Sequence, residues 1–235
     1  MLAKRGYVPK DDRYFSPKVL GTLRVASEHI GYLINHGYDL KQASTFVGDH
    51  FQLADRQRVA IMRSVDTKEQ LAARAAKEVP MGQLCGQDVW IDGFNVIITL
   101  EVMLSDSLLL SCMDGAIRDL ASLRGTYRII AVTTDAIRLL LDVLRDAGIH
   151  KANVLLDKPV SNSGRLKTLL ADMGEPYPFD LDIRVEDSVD RLLYGKQNVI
   201  SSDSVVLDRS DSWVNLARHC MELTGRQAIE VWTKP

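Results

Sequence analysis

The sequence predicts an α/β domain with a mainly parallel central sheet, preceded by a small all-α domain. Two observations favour this division. Up to residue 80 the apolar residues recur at helical spacing, whereas after residue 87 short apolar β-type runs alternate with amphipathic helices. The chain has 235 residues, 46% of them hydrophobic, which is enough for one large domain or two unequal ones. We therefore expect a helical domain over residues 1–80 and an α/β domain over residues 87–235.

The helical domain is expected to contain three helices and a connecting helix. Ser16 and Pro17 suit the start of the first helix, and Gly37 suits its end. The second helix should begin near Asp39 and be broken by Gly48. The third helix and the connection are expected at residues 53–63 and 67–80. The second and third helices have the rhythm of a helix-turn-helix, but a plain helical bundle with a tight turn gives the same pattern.

Six strands are expected in the α/β domain, with helices between them. The strands are the apolar runs at residues 89–98, 127–134, 152–157, 181–186, 198–203 and 228–233. The helices are expected around residues 105–124, 135–147, 162–173, 187–194 and 211–223. This alternation is typical of a parallel sheet with crossover helices.

Aspartates follow several of the predicted strands. Asp92, Asp157 and Asp203 lie at strand ends, and Asp187 and Asp190 are one helical turn apart. Ligands of an open parallel sheet bind beyond the carboxyl ends of its strands, so we expect these side chains to converge. Converging carboxylates stay ionised together only when a cation neutralises them, and oxygen ligands without Cys or His select Mg²⁺ or Mn²⁺. The pattern therefore indicates a divalent-metal site that acts on phosphoryl substrates.

An aspartate after a strand also commonly caps the following helix by accepting backbone N–H bonds. Capping is the better explanation for Asp135, which precedes an amphipathic helix. Asp92 differs because it lies inside an apolar run and is followed by Gly-Phe-Asn, with no helix expected to begin at once. We therefore expect Asp92 to have a functional role.

Two segments carry a resemblance to a known family. VWIDGFNVIIT and VEDSVDRLLYGKQNVISSDSVVL resemble the opening strand and a later helix and strand of PIN-like nucleases, particularly the NYN and YacP-like branches. The resemblance covers roughly residues 87–210. The whole chain also resembles an uncharacterised, largely archaeal family that joins a small helical domain to such a domain. The resemblance implies a PIN-like three-layer fold and a ribonuclease that depends on Mg²⁺ or Mn²⁺.

The resemblance also assigns residues to roles. It implies that Asp92, Asp187 and Asp203 are catalytic carboxylates that bind the metal. Ser202 stands beside Asp203, and Asn95 matches a signature asparagine that would orient Asp92 or a bound water. These positions form the expected catalytic centre.

PIN nucleases usually carry a further acidic residue on a helix after the first strand. Asp114 and Asp119 are both candidates for it, and their spacing of five residues places them on different helical faces. We favour Asp114 as the catalytic residue because Gly115 next to it allows close backbone approach, although Gly115 also suits a turn.

Substrate contacts are expected from two places. The loop after the third predicted strand offers hydroxyl, amide and cationic groups to a phosphate, although the same loop could cap the next helix. In the helical domain, arginines that recur on the third helix could meet a phosphate backbone, or could lie in solvent and cover apolar surface. The substrate-binding residues expected in these places and around the carboxylates are Asn95, Ser202, Asp157, Lys158, Ser161, Asn162, Arg165, Arg56 and Arg58.

Charge and cysteine content limit the classes of partner and the cellular location that the sequence allows. Residues 1–80 carry 13 Lys/Arg and 9 Asp/Glu, and the rest of the chain has an acidic excess. RNA is the expected partner and DNA a second candidate, but a pI near 6.2 argues against nonspecific coating of nucleic acid. Three widely separated cysteines indicate reduced thiols, and no apolar run is long enough for a membrane span. We expect a cytoplasmic protein without membrane contact, and a homo-oligomer is compatible with the sequence.

Two functions follow as hypotheses. The first is a metal-dependent endoribonuclease that hydrolyses RNA phosphodiester bonds. The second is a non-catalytic RNA- or DNA-binding regulator with a degenerate PIN-like domain. A phosphatase with an aspartyl intermediate is a poor fit, because Phe94 stands two residues after Asp92 where that chemistry usually needs a second aspartate.

Overall fold

The amino-terminal region is helical, as the sequence predicts. The structure is a computed structural model that describes residues 4–121 and 125–233. The helices described before residue 80 are α1 (Asp11–Tyr14), α2 (Pro17–Asn35), α3 (Leu40–His50), α4 (Asp55–Ser64) and α5 (Lys68–Ala75). Asp39 caps α3 by accepting a hydrogen bond from the Gln42 amide. The predicted break at Gly48 was wrong. Gly48 lies within α3, where a Cβ would be 2.7 Å from Cζ of Arg58, so the glycine leaves space for that guanidinium.

After residue 87 the chain has the α/β character that the sequence predicts. Its elements in chain order are β1 (Asp88–Asp92), α6 (Gly93–Leu104), β2 (Leu109–Ser111), β3 (Ile117–Asp119), α7 (Ala131–Asp146), β4 (Lys151–Asp157), α8 (Ser163–Gly174), β5 (Asp180–Glu186), α9 (Val189–Leu193), β6 (Val199–Ile200), α10 (Ser204–Arg209), β7 (Trp213–Val214) and α11 (Leu216–Thr224). Five strands form one sheet in the order β5-β4-β1-β6-β7, and every neighbouring pair is parallel. The prediction of an α/β fold with a mainly parallel sheet is confirmed.

Strand register brings the carboxyl ends of β1, β4 and β6 to one edge. Asp92 is paired with Leu155 of β4, and Ile91 is paired with Ile200 of β6. Side chains alternate between the two faces of the sheet. On one face Ile91 joins the large core formed with α6, α7, α8 and α11, and on the other face Trp90 packs with the shorter helices α9 and α10. The edge beyond β1 therefore lies beside these two short helices.

Three predicted elements were wrong. A helix was expected at residues 105–124, but α6 follows β1 directly and the described part of that range contains the β2–β3 hairpin. The largely apolar segment from residue 89 to 104 conceals the change from strand to helix, because periodicity does not separate a buried strand from a buried helix. The strands predicted at 127–134 and 228–233 are also not formed. Residues 127–130 belong to no strand and lead into α7, and Ile229 makes only an isolated bridge with Leu110.

Asp135 does not cap a helix, contrary to expectation. It lies inside α7 and forms an ion pair with Arg138 at 3.1 Å. The start of α7 is stabilised instead by Thr133, whose hydroxyl accepts a hydrogen bond from the Ile130 amide.

The two parts of the chain share a hydrophobic core. Leu110, Cys112 and Leu120 from the hairpin region, together with Val231, are buried among the apolar side chains of α2, α3 and α4. The hairpin therefore extends from the α/β domain into the core of the helical region. None of the helices in the described residues is long and apolar enough to cross a membrane.

Candidate functional site

Asp92 is a buried carboxylate at the carboxyl end of β1. Its side chain is 5% exposed, and its Oδ2 accepts a hydrogen bond of 2.9 Å from the Ser201 hydroxyl. Helix α6 begins at the next residue, so the expectation that no helix follows at once was wrong. Asp92 occupies the N-cap position, but its side chain makes no capping hydrogen bond. The carboxylate is therefore not used to stabilise the helix.

Gly93 allows α6 to begin close to the sheet. A Cβ at this position would lie 2.5 Å from Cδ2 of Leu156 and 2.9 Å from the Leu155 carbonyl oxygen. These distances are too short for any side chain. Gly93 thus allows the close packing of α6 on β4 that holds the neighbouring Asp92 at the end of β1.

Four aspartates influence one another at this edge. The pKa of Asp92 is raised to about 7, first because burial disfavours the charged form and then because of the charges of Asp157, Asp190 and Asp203. Burial and the charge of Asp190 raise the pKa of Asp157, and burial and the charge of Asp203 raise the pKa of Asp190. Among the described residues, no lysine or arginine forms an ion pair with any of the four. The edge therefore holds converging negative charge without a protein cation.

Asp187 does not belong to this group. Its side chain is 77% exposed and forms an ion pair with Lys158 at 3.4 Å. Asp187 precedes α9, whereas Asp190 lies in the first turn of that helix. Ser188, a residue type that favours the N-cap position, is the sequence signal that places the helix start after Asp187. The structure thus brings Asp190, not Asp187, into electrostatic contact with Asp92.

Asn95 links Asp92 to the end of β6. Its side-chain oxygen accepts hydrogen bonds from the Ser202 amide at 2.8 Å and the Ser202 hydroxyl at 3.0 Å. The hydroxyl of Ser201, the residue before Ser202, donates to Asp92 and is 3.4 Å from the same Asn95 oxygen. The backbone donor fixes the orientation of the Asn95 amide, because only its oxygen can accept from an N–H group. Asn95 and Ser202 thus hold the segment that carries Asp203.

Asp203 follows β6 and caps α10. Its Oδ1 accepts hydrogen bonds from the amides of Val205 and Val206. Capping therefore occupies one oxygen of this carboxylate, and Asp203 also lines a cavity beside the site. The functional and structural interpretations of Asp203 are compatible in this geometry.

Asp114 lies in the hairpin turn between β2 and β3, so its prediction on a helix was wrong. It is buried and forms ion pairs with Arg74 at 2.7 Å and Arg118 at 2.5 Å. Burial opposes ionisation, but the two guanidinium groups outweigh it and lower the pKa of Asp114. Gly115 has a φ of +82° in this turn. Asp114 is thus neutralised by protein cations and does not face Asp92.

Asp119, the other candidate, lies on β3 and lines the same cavity as Asp203. Its oxygens accept hydrogen bonds from the Thr99 hydroxyl at 2.9 Å and the Ala121 amide at 2.7 Å. Burial raises the pKa of Asp119, and Arg63 opposes that shift. Of the two candidates, Asp119 is the one next to the cavity.

Arg56 and Arg58 are engaged within the protein. Arg56 pairs with Asp11 through two nitrogens and donates to the Leu120 carbonyl. Arg58 donates to the Leu53 and Thr45 carbonyls and forms an ion pair with Asp49. These contacts organise the helical region, so the expected role in substrate binding has no support from the geometry.

The loop after β4 is also tied to the protein. Ser161 exchanges hydrogen bonds with the backbone of Tyr127, and Asn162 donates to the Tyr127 carbonyl. Asn162 precedes α8 at the N-cap position with a φ of +64°, but its side chain makes no cap, so the expected capping was wrong. Lys158 pairs with Asp187, as described above. Contacts with Tyr127 thus position the loop, and its Ser161, Asn162 and Lys158 side chains are engaged by the protein and not left free for a phosphate.

A cavity of about 170 Å³ connects the helical region with the site. Its lining consists of Met62, Arg63, Asn95, Arg118, Asp119, Ser202, Asp203 and Ser204. Arg118 fixes this arrangement, because it donates from Nε to the Ser202 carbonyl at 2.6 Å and from Nη1 to the Arg63 carbonyl at 3.0 Å. The end of α4 is therefore held beside Asp203.

Comparison with known proteins gives the family. A family model described as a domain of unknown function, DUF5616, matches residues 81–219. The chain belongs to the DUF5616 family. A second model, described as a protein of unknown function, DUF434, matches residues 22–77 of this DUF5616 protein. The uncharacterized protein MJ0935 of Methanocaldococcus jannaschii is 31% identical over 186 residues, which cover 79% of this chain and 89% of the relative. No solved structure matches the chain significantly. The expected relationship to an uncharacterised family with an archaeal member is confirmed.

Proposed function

We propose that this DUF5616 protein is a metal-dependent ribonuclease with a PIN-like α/β domain. The observation that supports this proposal is the group of Asp92, Asp157, Asp190 and Asp203 at the carboxyl edge of a parallel sheet, without an ion-pair partner in the described residues. Such a group is costly to the fold, because like charges are partly buried together. Costly carboxylates at a sheet edge are typical of functional sites.

The donor set fits an open Mg²⁺ or Mn²⁺ site. In the part of the chain that the structure describes, no three His, Cys, Asp or Glu residues are close enough to enclose an ion. Mg²⁺ usually retains several waters and binds through one or two carboxylates and substrate oxygens, so a closed cage is not required. We assign Asp92, Asp190 and Asp203 as the candidate carboxylates, one or two of which would hold the metal. Asp190 replaces Asp187 among them.

Bound metal would supply an activated water and stabilise the charge that develops on the phosphodiester during hydrolysis. The protein positions the carboxylates for this reaction. Ser201 holds one oxygen of Asp92, and Asn95 holds the segment that leads to Asp203. The backbone of Val189, the first residue of α9, favours the charged form of Asp157 and lowers its pKa against the effect of burial, so the start of α9 lies beside the end of β4. These contacts keep the acidic groups together before substrate binds.

The alternative is a non-catalytic regulator that binds RNA or DNA. That hypothesis placed nucleic acid on Arg56 and Arg58, and both guanidinium groups are engaged by protein oxygens. The geometry therefore favours the ribonuclease.

Cleavage assays test the proposal. We expect the purified protein to cut a mixed pool of single-stranded and structured RNAs when Mn²⁺ is present and not when it is removed. Asp92→Asn should reduce cleavage on the order of 10²-fold or more, because several kcal/mol of metal-derived stabilisation are lost. Asp135→Asn removes the same charge from exposed α7 and is the matched control. Equal cleavage by Asp92→Asn and wild type, or no cleavage by wild type, would refute the ribonuclease.

Metal binding is measured separately by thermal unfolding. We expect Mn²⁺ at about 10 times its Kd to stabilise the wild type by about 1.4 kcal/mol, because the ion binds only the folded state. Asp92→Asn should lose this effect and should be more stable than the wild type without metal, since one of several repelling charges is removed. Unaltered Mn²⁺ stabilisation in Asp92→Asn and in Asp203→Asn would contradict the assigned ligands.

A further inference from the structure

The cavity between the helical region and the α/β domain opens directly beside the proposed catalytic carboxylates. Asp203 and Asn95 form one side of it, and Met62 and Arg63 from the end of α4 form the other. Its volume of about 170 Å³ corresponds to about six waters, at about 30 Å³ each. The cavity is thus large enough for a small anion such as a phosphate group.

Arg63 is the cation of this cavity that retains free donors. Its Nη1 donates to the Asp119 carbonyl and lies 3.9 Å from Oδ1 of the same residue. Within residues 4–121 and 125–233, its Nε and Nη2 have no partner, and its side chain is 40% exposed. Arg118, by contrast, is buried and uses its nitrogens on Asp114 and on two backbone carbonyls.

Asp119 does not neutralise Arg63 fully. Its two oxygens already accept hydrogen bonds from Thr99 and Ala121, and the ion-pair distance of 3.9 Å is too long for a hydrogen bond. Asn95 also lines the cavity, and its side-chain nitrogen has no hydrogen-bond partner among the described residues. Arg63 and Asn95 therefore both line this space, and each has N–H groups without a partner in the described part of the chain.

We infer that Arg63 binds a backbone phosphate of single-stranded RNA in this cavity, next to the phosphodiester that is cut. The inference rests on the proposed function. A planar guanidinium with free N–H groups matches phosphate oxygens and forms charge-assisted hydrogen bonds with them. A strand that lies across Asp92 and Asp203 must pass the cavity, because Asn95 and Ser202 belong to both places. The helical region thereby contributes to the substrate site through α4.

The test measures RNA binding without cleavage. A short single-stranded RNA labelled with fluorescein is titrated by fluorescence anisotropy in a buffer with a chelator and no divalent metal, at several salt concentrations. Arg63→Ala should weaken binding about 10-fold, which corresponds to one charge-assisted hydrogen-bonded contact. The slope of log K against log salt should become less steep by about 0.7, since one phosphate contact with a single strand is lost.

Three further variants make the result specific. Arg63→Lys retains the charge but not the planar fork, so it should keep the salt slope and lose part of the affinity. Arg63→Gln retains a donor for the Asp119 carbonyl, and its thermal unfolding separates lost binding from lost fold. Arg138→Ala removes an exposed arginine from α7 and should change neither affinity nor slope.

The inference is overturned if wild-type protein does not bind the RNA, if Arg63→Ala and Arg63→Gln bind it with unchanged affinity and slope, or if Arg138→Ala has the same effect. The inference is also overturned if Arg63→Ala weakens binding only to single-stranded DNA of the same sequence and not to the RNA. RNA binding that depends on Arg63, together with no metal-dependent cleavage, would refute the ribonuclease and support this contact. Cleavage that depends on Asp92, together with RNA binding that does not change in Arg63→Ala, would support the ribonuclease and refute the Arg63 contact.

Discussion

Replacing Arg74 with methionine should lower the free energy of unfolding by about 3 kcal/mol. Arg74 belongs to α5 and is fully buried. Its guanidinium lies 2.7 Å from Asp66, 2.7 Å from Asp114 and 2.6 Å from Asp208. It therefore joins the helical region to the hairpin and to α10, the helix that Asp203 begins. Methionine fills much of the space but leaves the carboxylates without this partner.

The magnitude follows from the surroundings of each carboxylate. Removing one partner of a buried ion pair costs about 3–5 kcal/mol, because an uncompensated charge remains. Asp114 retains Arg118, and Asp208 is 30% exposed and partly solvated. Asp66 is only 12% exposed, so its charge accounts for most of the cost. This places the loss at the lower end of the range. About 3 kcal/mol corresponds to a decrease in Tm of about 6–12 °C for a chain of this size.

The assay is urea unfolding of wild type and Arg74→Met at pH 7 and at several lower pH values. Burial raises the pKa of Asp66 even with Arg74 present, and removal of the Arg74 guanidinium should raise the pKa of Asp66 further. A carboxyl group with a raised pKa destabilises the fold as pH rises through that pKa. The difference between the two proteins should therefore be largest at neutral pH and decrease as pH falls toward 4. Arg138→Met, which breaks an exposed pair, should cost less than about 1 kcal/mol. A cost below that of the control, or one that does not change with pH, would refute the reasoning.

Three other changes test the packing around the site. Gly93→Ala should destabilise by about 1–3 kcal/mol, because its Cβ would lie 2.9 Å from the Leu155 carbonyl oxygen; an unchanged urea midpoint would contradict this close packing. Glu101→Gln should cost about 3 kcal/mol, because buried Arg5 loses its carboxylate at 2.6 Å, and limited proteolysis near the amino terminus should become faster; equal digestion rates would argue against that anchor. The lowered pKa of Asp114 adds stability above its unfolded pKa that is lost as pH falls through the folded value; wild type should thus exceed Asp114→Asn at pH 7 and begin to lose the advantage as pH falls below about 4, and a gap that does not narrow there would exclude this linkage.

The sequence predicts the main elements because each carries a local signal. The run before Asp92 alternates into the core and ends in a carboxylate, and Asp39 occupies a typical capping position. The hairpin also has a signal, since Asp114-Gly115 is a typical turn pair between apolar residues. The helix expected at residues 105–124 instead followed from the alternation of strands and helices, and the resemblance to PIN-like nucleases placed Asp114 on that helix.

The site depends on contacts that no local pattern contains. Arg56, Arg58 and Arg63 all lie on α4, yet in the described structure Arg56 uses three guanidinium nitrogens on protein oxygens, Arg58 uses two, and Arg63 donates a hydrogen bond from only one. Asp187 and Asp190 are likewise equivalent by sequence until the start of α9 separates them. Tertiary partners therefore decide which members of each set reach the site.

The shared core also has a consequence for synthesis. Ser27 of α2 donates to the Val231 carbonyl at 2.6 Å, and Val231 is fully buried in the core of the helical region. A ribosome releases the helices of that region long before it releases Val231. The nascent helical region must therefore wait, with part of its apolar surface open, until nearly all of the described chain has emerged. We expect chaperones to bind this apolar surface during that period.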